Sequence, residues 1–369
     1  MSTAAPPVAA GDVRRLVAAI RSNDDAAVRE LEGDARLARH PRAVIEAARM
    51  GRAKVLRLLL RLGADPDARH RGYRPLHALI QERLDAEAGD PAPERLACAK
   101  LLLEAGAHPE LLGAYPPASA LLIAAFTGLR PFVDLLREAG ARVDGFVQAA
   151  LGQAAAVRRL LDRDQALATV RTEGGLTALQ CAAASRLGHG DTRTARGLVE
   201  TARALLDAGA DANARTQAWS EEVDTAYFAA SSRNLDLFRL LLERGADATA
   251  ALPSAVWNAL DEFSQLALTH GADPDRATSN GKPLLNDLIR WGQVGPALRL
   301  LERGASPDVA DAAGWTAVHQ AASRGNARMM AAVLEAGGDR RRKDRKGCTP
   351  LVIATRSGRV NIVELLTGK

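Results

Sequence analysis

Apolar and polar positions follow one another along the chain in short blocks. Over 349–366 the apolar residues fall at Leu351, Val352, Ile353 and Ala354, then at Val360, Ile362, Val363, Leu365 and Leu366, with Gly358 between the two blocks. That spacing predicts two short helices, each with one apolar face, broken at a glycine. Neither face can be buried within its own pair, so such a pair needs neighbours.

The blocks recur. Paired leucines followed by Gly-Ala appear as LLLRLGAD at 58–65, LLLEAGAH at 101–108, LLREAGAR at 135–142, LLDAGADA at 205–212, LLLERGAD at 240–247 and LLERGAS at 300–306, with weaker copies at 266–273 and 333–339. The glycines stand at 63, 106, 140, 209, 245, 271, 304 and 337, so the spacing centres on 33 residues. The wide 140–209 interval holds a further unit around VRRLLDRDQALA at 157–168. A glycine after each second helix suits a left-handed C-cap. An upstream landmark accompanies it, clearest in GWTAVHQAASRGN at 314–326 and GCTPLVIATRSGRVN at 347–361, with degraded versions at 72–79, 174–184 and 281–293. A fixed period of this size marks a repeat architecture whose stacked units share one core.

These landmarks resemble the ankyrin repeat, whose units open on a Thr-Pro-Leu-His-like phrase and close on Leu-Leu…Gly-Ala-Asp. Thr349-Pro350-Leu351 and Thr316-Ala317-Val318-His319 match the opening, and Gly63-Ala64-Asp65, Gly209-Ala210-Asp211 and Gly245-Ala246-Asp247 match the close. The resemblance runs over about residues 12–369 and implies an all-α ankyrin-type repeat solenoid of about ten helix–turn–helix units, with short hairpin loops and a concave groove. On that frame residues 1–11 are a flexible N-terminus and 12–369 a single solenoid. It comprises an N-terminal helical cap at 12–34, repeats over about 39–343 and a C-terminal cap repeat at 344–369. The stretches 81–98 and 185–202 read as insertions between the helices of their units, as lengthened loops or extended helix ends. The unit at 251–276 is short and lacks the opening phrase.

Composition agrees with helices. The 369 residues are 47% hydrophobic, mainly Ala and Leu, and 4% aromatic, which argues against an all-β fold. The net charge of +5 is local, because Arg-Arg-Arg-Lys-Asp-Arg-Lys at 340–346 carries six positive charges and one negative. Arginine far outnumbers lysine, a bias resembling a GC-rich, bacterial coding sequence. Cys98, Cys181 and Cys348 are too few and too scattered for a disulfide framework and suit a reducing, cytoplasmic setting. The N-terminus lacks a signal-peptide pattern, and no apolar run is long enough to span a membrane.

Catalytic patterns are missing. The chain has no phosphate-loop or dinucleotide glycine motif, no HExxH, no GxSxG and no Cys/His zinc spacing. His77 and His319 occupy the fourth position of the opening phrase, where the resemblance implies a hydrogen bond between neighbouring turns. His189 and Asp191 make a His-x-Asp pair without a third ligand. Cys98 and Cys181 fall on faces expected to be buried, whereas Cys348 follows Arg345 and Lys346, cations that favour a thiolate. The expectation is a chain with no catalytic residue, no metal and no cofactor.

The resemblance implies recognition instead, since ankyrin-like surfaces bind through hairpin tips and inner helices. Tyr, Trp and Arg dominate the energetics of interfaces. The expected partner contacts are therefore Tyr73, Arg74, Tyr115, Trp219, Trp315 and Arg345 at tips, with Arg290, Trp291 and Arg324 at inner-helix ends. The alternative for the rings is cover for the edge of the next unit's core. Arg340, Arg341, Arg342, Lys343, Arg345 and Lys346 form a basic patch suited to an acidic peptide, nucleic acid or anionic lipid, or else a solvated tip. No aromatic is interleaved with it for base stacking. The expected function is a non-enzymatic scaffold binding another protein. The competing readings are an effector or toxin-neutralising binding protein, a small-molecule-binding or enzymatic solenoid using the 185–202 loop, and a nucleic-acid binder acting through 340–346.

Overall fold

The computed structural model describes residues 8–22, 31, 33–81, 93–113, 117–218, 221–257, 260–276, 278 and 281–368. Helix α1 (Ala10–Ser22) is followed by a short 3-10 turn (Ala35–Arg39) and then by helix pairs. These are α2 (Pro41–Arg49) with α3 (Ala53–Arg61), α4 (Pro75–Gln81) with α5 (Pro93–Glu104), α6 (Ala120–Thr127) with α7 (Arg130–Glu138), α8 (Gly145–Ala150) with α9 (Ala154–Arg163), and α10 (Ala178–Ala184) with α11 (Thr192–Asp207). The series continues with α12 (Thr225–Ser231) and α13 (Leu235–Glu243), α14 (Ala248–Trp257) and α15 (Asp261–Thr269), α16 (Leu284–Arg290) and α17 (Val294–Glu302), α18 (Ala317–Arg324) and α19 (Ala327–Glu335), and α20 (Pro350–Arg356) and α21 (Val360–Thr367).

The two helices of a pair differ as their sequences require. In α6 every residue is buried, matching its all-apolar composition apart from Thr127. Helix α7 buries Phe132, Val133 and Leu136 along one stripe and turns its charged residues outward. Each fully buried Leu or Phe contributes about 1.5–3 kcal/mol, so stacking rather than helix propensity holds these short helices.

Two compact groups of residues result, Met1–Leu240 and Leu241–Lys369. In the first, the inner helices α2, α4, α6, α8, α10 and α12 each pack on the next, α3 packs on α5 and α5 on α7, and α9 packs on α11. In the second, α16, α18 and α20 stack in order, as do α17, α19 and α21, while α14 packs on α15 and touches α17. The eight repeat glycines all adopt φ between 84° and 92°, the left-handed turn expected after each second helix.

Several features depart from the sequence-based map. Helix α1 starts at Ala10, inside the stretch expected to be flexible, with Asp12 in its first turn paired to Arg15 at 2.6 Å. The second helix of the expected 12–34 cap falls mostly outside the described residues, as do 82–92 of the first insertion. The second insertion agrees with the map, as a loop over 185–191 and an extended helix end over 192–202 that begins the 16-residue α11, capped by Asp191, which accepts the N–H groups of Arg193 and Thr194. Between α11 and α12 runs a two-stranded antiparallel ribbon, β1 (Arg215–Ala218) and β2 (Glu221–Asp224). Thr216 and Val223 face each other across it and are buried, and Arg215 pairs with Glu222 at 3.1 Å. The units at Gly145 and Ala248 have no hairpin because Asp144 and Asp247 cap a helix directly.

Candidate functional site

A ladder of hydrogen bonds sets the hairpin tips relative to the inner helices. At the fourth position of four opening phrases stand His77, Gln180, Asn286 and His319, all buried. Each reaches a main-chain carbonyl of the following hairpin. His77 Nε2 meets Ala118 O at 3.0 Å, Gln180 Nε2 donates to Ala214 O at 2.8 Å, Asn286 Nδ2 to Trp315 O at 2.8 Å, and His319 Nε2 meets Cys348 O at 3.3 Å. Burial pushes the His77 imidazole down to about 4 and lowers that of His319, so both rings stay neutral at neutral pH. His319 Nδ1 accepts the Thr316 N–H at 3.2 Å, which leaves Nε2 as its donor. The expected structural role of both histidines holds, and Gln180 and Asn286 share it.

A second ladder was not foreseen from residue types. Four residues after the repeat glycine, Asp67, Glu110, Thr249, Asp275 and Asp308 each accept an N–H from the following unit. The donors stand two residues after the next glycine: His108 at 3.0 Å, Arg142 at 2.8 Å, Asp273 at 3.0 Å, Ser306 at 2.7 Å and Asp339 at 2.9 Å. The signal lay in that constant offset and not in one residue identity. Burial raises the Asp275 carboxyl above its usual range, partly countered by the Ser306 N–H.

The two ladders fix how the candidate contact residues stand. Tyr73 is half-buried, with the Arg49 guanidinium 5.3 Å from its ring centroid. Arg74 donates to the main-chain carbonyls of Asp67 and Leu112, so its guanidinium joins two hairpins. Trp315 is half-buried, stacks on His319 with centroids 6.2 Å apart and donates from Nε1 to Asp344 at 3.1 Å. Tyr115 and Trp219 lie outside the described residues. Trp291, at the C-terminal end of α16, is 61% exposed, and the Arg290 guanidinium lies 5.6 Å from its ring centroid. Arg324 ends α18 at the equivalent place and is exposed. Arg340, Arg341, Arg342, Lys343, Arg345 and Lys346 are exposed, while the acid within that run, Asp344, is buried. Arg356, at the end of α20, was not singled out by sequence, although it closes an inner helix as Arg290 and Arg324 do. One of its nitrogens lies 3.4 Å from Cys348 Sγ.

Among the described residues no three His, Cys, Asp or Glu side chains gather as a metal would require, and no helix is long and apolar enough to cross a membrane. Burial pushes the Cys98 thiol up to about 11 and raises that of Cys181 further. A cleft of about 950 Å³ opens where α11 extends past the start of α9, with Arg130, Arg159, Arg193 and Glu200 on its walls. Arg130 is tied there to Asp191, Thr194 and the Leu187 carbonyl, which pins the second insertion to the repeat two before its own, past the short α8/α9 pair.

Known proteins share this frame. A model of three ankyrin-repeat copies matches residues 288–369, and a model of the ankyrin repeat matches 43–71 and 174–217. Ankyrin repeat and SOCS box protein 16 from Homo sapiens is 32% identical over 173 residues, covering 47% of this chain and 30% of that protein. Ankyrin repeat-containing protein P1E11.10 from Schizosaccharomyces pombe (strain 972 / ATCC 24843) is 37% identical over 62 residues, covering 17% of this chain and 30% of that protein. The chain thus spans less than a third of the length of these curated relatives. A crystal structure of the human ASB11 ankyrin repeat domain aligns with a TM-score of 0.46 and 24% identity over 61% of this chain and 98% of that one. Ankyrin repeats generally act as protein–protein interaction modules, and proteins built from them are typically non-enzymatic. From the 33-residue helix pairs, their shared ladders and the matched segments, the chain belongs to the ankyrin-repeat family.

Proposed function

We propose that this chain is a non-enzymatic protein-binding scaffold that takes its partner on the hairpin tips and inner-helix ends of 281–368, with Trp291 as the central contact. One observation carries the reading: a tryptophan 61% exposed at the end of an inner helix, with a guanidinium beside its ring. Trp and Arg are the residues on which interface energy concentrates, and a ring at the end of a packed helix loses little entropy on binding. Arg324, one repeat further on, and Arg345, in the hairpin before α20, extend the same exposed surface. A reducing, cytoplasmic setting belongs to this reading and is supported by three free thiols.

The test is affinity capture from a lysate of the source organism, comparing the full chain with its Trp291→Ala/Arg324→Ala variant. Both side chains are exposed, so the variant should melt at the same temperature as the parent. A protein retained by the parent and lost by the variant supports the surface. Equal retention by both overturns it, and retention of no protein by either overturns the scaffold reading.

A further inference from the structure

In the group Leu241–Lys369, three inner helices in succession end in an exposed arginine. These are Arg290 on α16, Arg324 on α18 and Arg356 on α20. The same helices carry one acid between them, Asp287, and it is buried. The hairpin before α20 adds six exposed cations. Its neighbouring acids are turned to structural use: Asp339 accepts the Arg341 N–H at 2.8 Å, and Asp344 accepts from Lys346, Cys348 and Trp315. Residues 339–346 still carry a net charge of +4. Among the described residues none of these nine cations forms an ion pair, whereas arginines elsewhere do, such as Arg215 with Glu222 and Arg299 with Asp261. The contact between Arg356 and Cys348 Sγ lays that guanidinium back toward the basic hairpin, so patch and helix ends are continuous.

We propose that this face binds an extended acidic peptide segment, its carboxylates meeting Arg290, Arg324 and Arg356 in turn and an apolar side chain resting on Trp291. The proposal rests on the protein-binding reading above and gives the partner its chemistry. Packed helices lie about 8–10 Å apart, and a polyproline-II segment rises about 3.1 Å per residue with three residues per turn, so every third residue of the ligand returns to the same face in step with successive arginines. Guanidinium forks match carboxylates in bidentate geometry. A single nucleic-acid strand fits less well. Its binding sites combine cations with a series of stacking aromatics, and this face offers one exposed indole, Trp291.

The experiment is fluorescence anisotropy on the full chain with labelled peptides. One carries aspartates at every third position and a leucine at one end. The other has the same composition with its aspartates contiguous. The spaced peptide should bind about fivefold to tenfold more tightly, as expected of two or three exposed ion pairs held in register, and added salt should weaken it. Arg324→Gln/Arg356→Gln should abolish that preference, while Arg158→Gln/Arg203→Gln, on helices of the other group, should leave it intact. Equal affinity for the two peptides, or a preference that survives Arg324→Gln/Arg356→Gln, overturns the proposal. So does a single-stranded oligonucleotide that binds more tightly than the spaced peptide and displaces it. A cellular protein captured through Trp291 by a chain that ignores the spaced peptide would leave the scaffold reading standing and reject the acidic class alone.

Discussion

The indole Nε1–H of Trp315 donates to Asp344 Oδ2 at 3.1 Å, joining the tips of two successive hairpins. The same carboxylate takes the N–H groups of Lys346 at 2.9 Å and Cys348 at 2.8 Å, and Arg345 donates its own N–H to Ala313 O at 3.1 Å. One buried anion therefore anchors a loop that displays six cations. The Cys348 N–H foremost, then the Lys346 N–H and the indole, hold the Asp344 carboxyl below its usual range. Its folded pKa is depressed, so the anchoring is complete above the ordinary carboxylate range and lessens as pH falls through the lowered value. Asp344→Ala should speed amide exchange at Lys346 and Cys348 and shift the Trp315 indole resonance. Unchanged exchange at both amides would show that the loop closes without the carboxylate.

His77 makes stability depend on pH in the other acidic window. Above pH 6.5 its ring is neutral folded or unfolded. Between pH 6.5 and about 4 the unfolded chain gains a proton that the buried ring refuses, so stability falls as pH falls. The full loss is about 3 kcal/mol at one site. His77→Gln can donate to Ala118 O as Gln180 does to Ala214 O, without titrating. Urea unfolding at neutral pH and near pH 4.5 should show a smaller acid loss in His77→Gln than in the parent, and equal losses would refute the assignment.

Gly113 lies against that same imidazole. A Cβ built there comes within 2.8 Å of His77 Cγ and Nδ1, and neither the packed ring nor the paired Gly113–Ala118 backbone can yield freely. Gly113→Ala should cost about 1–3 kcal/mol by overpacking. In a His77→Ala background the same change should cost clearly less, which a double-mutant cycle by thermal unfolding would reveal.

Asp308→Ala removes the acceptor for the Asp339 N–H. A loss of about 1 kcal/mol is expected, and Asp308→Asn, which keeps an acceptor oxygen, should lose less. If both variants match the parent in denaturant midpoint, water replaces this rung at no cost.

Trp291→Ala should change stability by less than about 0.5 kcal/mol, since the ring covers little of the core. A larger drop in melting temperature would mean that the indole belongs to the fold and not to a surface for binding.

Helix pairs, turn glycines and the roles of His77 and His319 were legible in sequence because each rests on spacing within one unit. The period brings the same residue to the same place every time. What escaped depends on residues in the next unit. Trp315 and Arg74 look alike as aromatic and cationic tips. The pairing of one with Asp344 and of the other with Leu112 O depends on partners 29 and 38 residues away. The ribbon at 215–224 was hidden because Thr216 and Val223 are single β-formers in polar surroundings, and Thr216 is seated by its hydroxyl donating to Gly175 O of the hairpin 41 residues earlier. The candidate surface was legible in Arg290, Trp291 and Arg324, while Arg356 emerged once α16, α18 and α20 were seen to stack.

The acceptors four residues past five of the repeat glycines and the amides two residues past the next bear on how this protein can change. Asp275 and Asp308 offer the same oxygen to the same downstream N–H, and Ser306 and Asp339 offer that N–H in the same place. The acceptor is a carboxylate at Asp67, Glu110, Asp275 and Asp308 and a hydroxyl at Thr249, but each of these seams joins a side-chain oxygen to a main-chain N–H in the same place. Excising the unit between two seams, or copying it in tandem, brings an oxygen and an amide together again with no orphan group at the join. Gain or loss of a whole 33-residue module is thus a milder event for this chain than the insertion of a single residue within one, which would break the register on both sides.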